Sequence, residues 1–583
     1  MDTIEKRLSA LRSLMAQKGL DAYLVVSDDF HSSEYVSGYF KCREYITGFT
    51  GSAGTALIFH DRAYLWTDSR YFIQAASELS GTEYILMKSG EKDVPTVTGY
   101  LKKLGGIRLG ADARTLSASV TDELSEAGAE LCDEDLIGMI WGDRPAFPHG
   151  GVWELDVSFC GRTRADKLSD VRRAIKDGGA ASLFISALDE IAWLFNIRGS
   201  DIEYTPLAIA YAAVTENSAV LFLSGEPTAE LRAGLEADGV EIWRYDDACE
   251  AAASLPQPVM ADRSSVSGRL YSLMGRTVNA APIQMMKAVK NKTECDNMRK
   301  AHTADGAAVT KLIYRLKRAA ADGSITELTE LRAADILETL RKQGEGYLYQ
   351  SFAPIAAYGA HGAIVHYDPD ETTDIPLENR GFILLDTGGQ YLTGTTDVTR
   401  TVSLGTLSEK ERRAYTAVLR GNLCLAAAVF RYGTTGANLD VLARSPLWEE
   451  GLDYGHGTGH GVGFLSCVHE GPNAIRMKRA DTPFEEGMIT SDEPGVYIEE
   501  EFGIRLENLI LCREKERVGD MRFMCFETLT LVPFDRAAIV PDMLTDREKR
   551  LLDLYHARVN DALSPLLDED ERAWLEKETA PIA

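Results

Sequence analysis

The apolar and polar positions of this chain predict alternating helices and strands. Near the N-terminus, apolar residues recur at helical spacing before a glycine and the apolar run AYLVV; they are Ile4, Leu8, Leu11 and Met15. Residues 165–187 repeat this order of amphipathic segment, glycine and apolar run. A period near 3.6 residues indicates a helix, and a short apolar run bounded by glycine indicates a strand. The two segments therefore predict two α/β units.

Both units continue with an aromatic-rich polar stretch and then with short apolar strands. These strands are GTALIFH, AYLWTD and EYILMKS in the first unit, and LAIAYAAVT, SAVLFLS and VEIWRY in the second. Such alternation favours α/β domains with parallel or mixed sheets. Because the two copies share little identity, a chance likeness of two ordinary α/β units stays an alternative to an internal repeat.

Proline and glycine punctuate the chain at two predicted domain boundaries. One is the linker PAFPHGGVWELDVSFCGRT at 145–163, and the other lies near Ala281 and Pro282, before a long helical pattern. At roughly 150 residues a domain, the length suits three to four domains. We predict domains over 1–155, 156–282 and 283–583, with a C-terminal extension from about 541.

Composition and charge exclude several classes of function. The chain has 583 residues, 45% of them hydrophobic, and a net charge of −27. This acidity disfavours nonspecific binding to nucleic acid or to anionic membrane. We find neither an apolar run of about 18 residues nor the uninterrupted apolar core of a signal peptide. Nine cysteines without a CxxC pair indicate a reducing, cytoplasmic setting rather than a disulfide framework or a thiolate zinc site.

Four acidic residues and one histidine stand in contexts typical of a metal centre. The contexts are LLDTGGQYLTGTTDVTRT, GHGTGHGVG, SDEPGVY and GIRLEN, and the residues are Asp386, Asp397, His460, Glu493 and Glu507. Such an oxygen-rich donor set suits Mn²⁺, Co²⁺ or Zn²⁺. Four carboxylate charges balance two dications and leave room for a bridging hydroxide as nucleophile. The sequence therefore predicts a hydrolase.

Each of these residues also has a plainer interpretation. Asp386 ends the apolar run GFILLD, and a hairpin would bring it beside Asp397, although aspartates are also common at glycine-rich turns. His460 lies among glycines that let the backbone approach a metal cluster or a substrate. Glu507 is predicted within the strand IRLENLILC, where a glutamate is usually solvated. The completeness of the five-residue set favours metal ligands.

Five of the ten histidines lie within residues 361–469, and hydrolysis needs such groups. The leaving nitrogen requires a proton donor, and the carbonyl oxygen requires polar contacts. His456, four residues before His460, could transfer protons beside the cluster, and His366 and His469 could contact the substrate. A structural histidine is the alternative for each of them and is the preferred interpretation of His361.

These motifs resemble the metal-dependent aminopeptidase P family (Xaa-Pro aminopeptidases) in its long, three-domain cytosolic form. The stretches SSEYVSGYFKCREYITGFTGSAGTALI and AYLWTDSRYFIQAA resemble the first domain of that family. The resemblance implies an α/β chain with two creatinase-like domains before a pita-bread catalytic domain. It also implies the five metal ligands above, for two divalent ions. The usual ion in the family is Mn²⁺, with Co²⁺ or Zn²⁺ as alternatives.

The resemblance further implies the reaction and the roles of single residues. The first residue would be removed from peptides that have proline second. The residues that act on the substrate would be His366, His456 and His469, with Glu493 taking a proton from the attacking water. We expect a homodimer, with Trp448 as an interface candidate, and a pocket modulated by His361, which departs from the family pattern.

Three other functions share this fold. Prolidase cleaves only Xaa-Pro dipeptides, and the length and the additional N-terminal domain argue against it. Methionine aminopeptidase lacks both N-terminal domains. A metal-free peptide-binding module would have lost ligands, whereas all five are present here.

Overall fold

The computed structural model describes residues 3–478 and 480–582. They divide into two compact units, Met1–Val157 with Arg162–Ile283, and Ser158–Gly161 with Gln284–Ala583. The predicted boundaries near 155 and 282 stay a prediction. Within the described ranges, no helix has both the length and the apolar content needed to cross a membrane.

The first unit contains a six-stranded sheet within residues 22–133, with strand order β4-β3-β2-β1-β5-β6. Its strands are β1 (Ala22–Val25), β2 (Thr55–Phe59), β3 (Ala63–Thr67), β4 (Tyr84–Lys88), β5 (Ile107–Ala111) and β6 (Ala129–Asp133). The helices of this region are α1 (Ile4–Lys18), α2 (Cys42–Thr47), α3 (Phe72–Glu78), α4 (Val97–Leu104), α5 (Ala118–Glu126) and α6 (Leu136–Ile140). Helix α1 buries Leu8, Leu11 and Met15, as its apolar spacing predicts.

A second six-stranded sheet follows in the same unit, with strand order β10-β9-β8-β7-β11-β12. Its strands are β7 (Ser182–Ile185), β8 (Ala210–Thr215), β9 (Ala219–Leu223), β10 (Val240–Arg244), β11 (Val259–Ala261) and β12 (Thr277–Asn279). The helices are α7 (Arg164–Asp177), α8 (Leu188–Phe195), α9 (Ala229–Ala237), α10 (Ala248–Ser254) and α11 (Gly268–Leu273). Strand order and the succession of parallel and antiparallel pairs are the same in both sheets. The shared topology favours the internal repeat over a chance likeness.

The second unit carries the candidate site on several small antiparallel sheets. Its strands are β13 (Tyr347–Gln350), β14 (Ile355–Tyr358), β15 (Phe382–Thr387), β16 (Gly389–Tyr391), β17 (Gly394–Thr395), β18 (Val398–Ser403), β19 (Val429–Arg431), β20 (Gly459–His460), β21 (Ala474–Ile475), β22 (Ile489–Asp492), β23 (Gly495–Ile498), β24 (Phe502–Arg505), β25 (Asn508–Val518) and β26 (Met521–Thr528). The four-stranded sheet has the order β19-β26-β25-β22, and the two three-stranded sheets have the orders β14-β15-β18 and β13-β16-β17.

Two helix pairs pack beside these sheets, α13 with α14 and α15 with α16. The helices after residue 281 are α12 (Pro282–Ala288), α13 (Lys292–Asp322), α14 (Glu330–Arg341), α15 (Glu409–Ala426), α16 (Gly436–Glu449), α17 (Asp546–Leu563) and α18 (Glu569–Glu578). Capping boxes open α15 at Ser408 and α17 at Thr545. The region after residue 541 contains α17 and α18. The predicted mixed α/β class is confirmed.

Candidate metal centre

A hairpin brings two of the candidate ligands together, as predicted. Strands β15 and β18 are antiparallel neighbours, with Asp386 opposite Thr399. Asp397 lies just before β18, so both carboxylates stand at the same end of the strand pair. The intervening glycine-rich residues form β16 and β17, which pair with each other and belong to a separate sheet.

His460 lies in a short strand and is flanked by two glycines. The sequence predicted that these glycines let the backbone approach a metal cluster or a substrate, but their close neighbours are different. A Cβ atom on Gly459 would lie 1.9 Å from the carbonyl oxygen of Ser491, and one on Gly461 would lie 2.0 Å from that of Glu470. No side chain fits at either position. The close neighbour at these glycines is therefore protein backbone, and this packing positions the imidazole between them.

The two glutamates complete the site from the ends of strands. Glu493 follows β22, and its N–H donates to the carbonyl oxygen of Thr458 at 2.8 Å. Glu507 lies in the break between β24 and β25, not within a strand, so its predicted strand position is wrong. Its N–H donates to the carbonyl oxygen of Thr399, and the residue is 1% exposed. The break turns the carboxylate inward instead of leaving it on a solvated face.

The five candidate ligands converge on one region of the second unit. Three groups of ligand atoms lie within 4.8 Å of one another: Asp386 with Asp397 and Glu507, His460 with Glu493 and Glu507, and Asp397 with His460 and His469. The three groups share members and thus form one continuous cluster. Its composition of four carboxylates and two imidazoles is one that divalent cations of intermediate hardness favour.

Burial and like charge make this cluster electrostatically unfavourable without cations. Burial is the main cause that raises the pKa of Asp386, of Glu493 and of Glu507, and neighbouring carboxylates add to each rise. Burial lowers the pKa of His460, but Asp397 and Glu493 outweigh it and raise that pKa to about 9. Bound dications would reverse this preference for protonated acids.

Hydrogen bonds orient the ligand atoms in the way that a metal site requires. Nδ1–H of His460 donates to the carbonyl oxygen of Gly461 at 3.0 Å, which leaves Nε2 for a cation. Hydroxyl groups donate to Glu507 from Thr399 at 2.8 Å and to Glu493 from Ser491 at 3.0 Å. Oδ1 of Asp386 is buried without a hydrogen-bond partner among the described residues. The donor set and this buried oxygen fit a pair of divalent cations.

The three predicted substrate-contacting histidines differ in their placement. The ring of His469 lies 4.2 Å from that of His460, edge to face, so His469 stands at the cluster. Nε2 of His456 forms a hydrogen bond with the hydroxyl of Tyr497, at 2.8 Å. His366 is half-buried and lies in the segment of chain that connects β14 to β15. It belongs to none of the three ligand groups found among the described residues.

Two further residues at the cluster, Arg505 and Tyr497, lie within the motifs GIRLEN and SDEPGVY but were given no role from the sequence. Nε of Arg505 donates to Oδ2 of Asp386 at 3.1 Å, and its Nη1 donates to the hydroxyl of Tyr497 at 2.7 Å. An arginine within the apolar stretch FGIRLENLIL was the available signal, because a buried guanidinium needs an acidic partner. Arg505 thus links the ligand Asp386 to His456 through Tyr497.

His361 is a satisfied histidine, in keeping with its preferred interpretation. Its Nδ1 lies 2.9 Å from Oε1 of the fully buried Glu330. The hydroxyl of Tyr367 donates to the same carboxylate at 2.9 Å, and its ring lies 4.5 Å from that of His361. Its effect on a substrate pocket stays a prediction.

Four sequence signatures of known families match nearly the whole chain. Metallopeptidase family M24 matches residues 296–514, and the C-terminal region of that family matches 522–582. Creatinase/prolidase N-terminal domains match 7–140 and 143–294. These matches confirm the predicted architecture of two creatinase-like domains before a metallopeptidase domain.

Full-length relatives carry consistent names. A probable Xaa-Pro aminopeptidase P of Laccaria bicolor is 41% identical over 99% of this chain and 93% of its own length. Aminopeptidase P1 of Lotus japonicus is 37% identical over 99% of this chain and its full length. The crystal structure of X-prolyl aminopeptidase from Caenorhabditis elegans, described as a cytosolic enzyme with a di-nuclear active site, matches with a TM-score of 0.95 and 32% identity, over 100% of both chains. The predicted resemblance is confirmed, and the chain belongs to metallopeptidase family M24, among the relatives of the Xaa-Pro aminopeptidases P.

Proposed function

We propose that this protein is a metal-dependent aminopeptidase that removes the first residue from peptides with proline at the second position. The proposal rests on the convergence of five side chains, those of Asp386, Asp397, His460, Glu493 and Glu507. Their ligand atoms fall into groups whose members all lie within 4.8 Å of one another. The full-length relatives named Xaa-Pro aminopeptidase P support the choice of substrate.

The five ligands would hold two divalent cations. Asp397, Glu507 and His460 each belong to two of the ligand groups. A carboxylate has two oxygens whereas His460 offers only Nε2, so Asp397 and Glu507 would be the bridging ligands. Asp386 would then serve one ion, and His460 with Glu493 the other. Mn²⁺ is the proposed ion, because the donor set is dominated by hard oxygens. When bound, the cations supply Lewis-acid polarisation of the scissile carbonyl and activation of the attacking water.

A bond to proline poses a specific chemical problem. The scissile bond is a tertiary amide, so its nitrogen offers no N–H for recognition. Its trans form is favoured by only about 0.5–1 kcal/mol, so a site must also select one isomer. The nitrogen must gain a proton before it leaves as the amine of proline. A pocket for the ring and a proton donor near the carbonyl meet these demands.

The chain's own side chains would divide this work. Glu493 would take the proton of the attacking water, since its carboxylate lies in the cluster beside His460 and Glu507. His456 and His366 would stabilise the negative charge on the carbonyl oxygen and deliver a proton to the proline nitrogen. His469, beside His460, would shape the proline site. Arg505 and Tyr497 would keep Asp386 and His456 in place.

A comparison of two peptides tests this proposal. Protein stripped of metal and then given Mn²⁺ is incubated with Arg-Pro-Pro and, separately, with Ala-Pro. Metal-dependent release of arginine with little cleavage of the dipeptide supports the aminopeptidase. Cleavage of the dipeptide only would indicate prolidase, and cleavage of neither peptide, despite two bound ions, would contradict the proposed substrate.

Assembly and cellular location belong to the same proposal. We propose a homodimer in which Trp448 on α16, 43% exposed, contributes to the interface. Sedimentation of the Trp448→Glu variant as a monomer would support this role. A cytoplasmic location is supported by the cytosolic relative from C. elegans. The three domains 1–155, 156–282 and 283–583 are proposed with it, and limited proteolysis at their boundaries tests them.

A further inference from the structure

A buried ion pair joins two helices behind the ligand hairpin. Asp305 lies within α13 and Arg341 is the last residue of α14. Nε of Arg341 donates to Oδ1 of Asp305 at 2.7 Å, and Nη2 donates to Oδ2 at 3.2 Å. Their side chains are 1% and 3% exposed. The reactions assigned above to the chain's residues use neither of them.

Three further hydrogen bonds of this pair end on residues close to two of the candidate ligands. Arg341 donates to the hydroxyl oxygen of Thr387 at 3.0 Å and to the carbonyl oxygen of Gly388 at 2.9 Å. Thr396 donates its hydroxyl to Oδ2 of Asp305 at 2.9 Å. Thr387 directly follows Asp386, and Thr396 directly precedes Asp397. One ion pair therefore holds both backbone segments from which these ligands project.

The hairpin needs such a restraint from outside. Between the two ligands the chain contains Gly388, Gly389 and Gly394, and glycine gives the backbone wide conformational freedom. Tyr391, in the same segment, donates its hydroxyl to Oδ1 of Asp305 at 2.9 Å. The carboxylate thus accepts from the hairpin at two places while α13 and α14 fix it from behind.

A contribution to stability is a weak reason for such a pair. Removing two charges from water is costly, and apolar residues of similar volume are often as stable. A planar guanidinium that makes several directed hydrogen bonds instead fixes geometry. Residues that orient metal ligands commonly change metal affinity when they are substituted.

We propose that Asp305 and Arg341 are a positioning pair that sets the separation of the Asp386 and Asp397 carboxylates and thereby the affinity of the site for its cations. This inference rests on the metal site of the proposed function. It adds two residues that do not touch a cation or the substrate and that act through Thr387, Gly388 and Thr396.

The test measures metal affinity rather than catalysis. Metal-stripped wild type and variants are titrated with Mn²⁺ by calorimetry, and their thermal unfolding is recorded without metal. The double variant Arg341→Met/Asp305→Asn removes both charges together, and the asparagine oxygen can still accept from either Tyr391 or Thr396. Arg341→Lys keeps the charge but lacks the planar fork, and it serves as a second variant if the double variant does not fold.

A matched control is the pair of Arg420 and Glu548, which joins α15 to α17. Nε of Arg420 lies 3.0 Å from Oε1 of Glu548, and its other hydrogen bond goes to Glu449. Arg420→Met therefore breaks a partly buried ion pair without contact to the ligand hairpin. Its Mn²⁺ affinity should equal that of the wild type, even where its unfolding temperature falls.

We expect both Arg341 variants to bind at least one Mn²⁺ more weakly, by about 10–100-fold for the double variant. Wild-type Mn²⁺ affinity in every variant that folds would overturn the role of the positioning pair. The proposed function would still stand if the wild type binds two ions. An equal loss of affinity in Arg420→Met would also overturn the role of the positioning pair, because the effect would then follow stability. A wild type that binds fewer than two Mn²⁺ ions contradicts the proposed function and this inference together.

Discussion

The hydroxyl of Tyr497 lies 2.8 Å from Nε2 of His456 and accepts a hydrogen bond from Arg505 at 2.7 Å. Arginine has only donors, so the tyrosine oxygen accepts from it and the tyrosine proton can point to His456. Nδ1–H of His456 donates to the carbonyl oxygen of Gly457 at 2.7 Å. The hydrogen bonds thus fix both the orientation and the tautomer of an imidazole that stands near the cluster.

Tyr497→Phe should lower kcat while two Mn²⁺ ions stay bound. The variant keeps the ring but loses the hydroxyl that joins Arg505 to His456. Loss of a group that orients the residues of a metal site typically costs about 10–100-fold in affinity or activity. Steady-state hydrolysis of Arg-Pro-Pro and metal analysis of the same sample provide the measurement. Unchanged kcat would show that His456 needs no support from Tyr497.

Asp397→Asn should remove both metal binding and turnover. Asp397 belongs to two ligand groups and is proposed to bridge the cations, so the loss of its charge should weaken the binding of both. The amide retains the size of the carboxylate, and the fold should therefore persist. Metal content and circular dichroism are measured beside the rate of hydrolysis. Persistence of two bound ions and of the rate would exclude Asp397 as a ligand.

His456→Ala should separate catalysis from metal binding. His456 belongs to none of the three ligand groups of the described residues, so both ions should remain. Loss of an acid–base group lowers rates by about 10²–10⁴-fold, and kcat should fall within this range. The matched substitution His361→Ala, at a histidine held by Glu330, should change kcat much less. Equal losses in the two variants would contradict the assignment of His456.

Removal of the metal should destabilise the second unit. Without cations, burial and repulsion oppose ionisation of Asp386, Glu493 and Glu507, whereas a ligand that binds only the folded state stabilises it. At a concentration 100 times Kd, one bound ion contributes about 2.7 kcal/mol. The unfolding temperature of chelated protein should therefore rise with added Mn²⁺. A temperature independent of Mn²⁺ would contradict binding to the folded state.

The convergence of the five candidate ligands could be predicted from local sequence because they lie in short motifs with their own chemistry. Asp386 closes an apolar strand and His460 lies among glycines, so each can be found without its partners. The hairpin followed from the apolar run that Asp386 ends, and the repeat followed from helix and strand periodicity. These features depend on windows of ten to twenty residues, which sequence reasoning resolves.

Contacts over long sequence separations could not be predicted in the same way. Arg505 meets Asp386 across 119 positions, and Arg341 meets Asp305 across 36. Nothing local identifies the acidic partner of either arginine before the fold brings the two residues together. Glu507 was misplaced for a related reason: the strand break that turns it inward arises because its N–H pairs with Thr399 on another strand. Tertiary hydrogen bonds override the local alternation there.

His556 on α17 should make the folded state sensitive to acid. The residue is 2% exposed, and its Nε2 accepts the N–H of Phe534 at 3.2 Å. Burial, with smaller effects of the Arg400 and Arg536 charges, lowers its pKa to about 3. An unfolded histidine has a pKa near 6.5. Between these two values the unfolded state binds more protons than the folded state, so unfolding becomes easier as the pH falls.

The contribution of His556 is therefore fully present above pH 6.5 and decreases as the pH falls towards 3. Through His556, the free energy of unfolding should fall by about 2 kcal/mol as the pH falls from 7 to 5. His556→Gln can keep an acceptor for Phe534 but cannot take up a proton, so it should flatten the dependence of unfolding free energy on pH over this range. Urea unfolding of metal-stripped wild type and variant at pH 7, 6 and 5 measures the two slopes, without interference from metal release. Parallel slopes would mean that His556 is protonated equally in the folded and unfolded states, and that its burial does not suppress the charge.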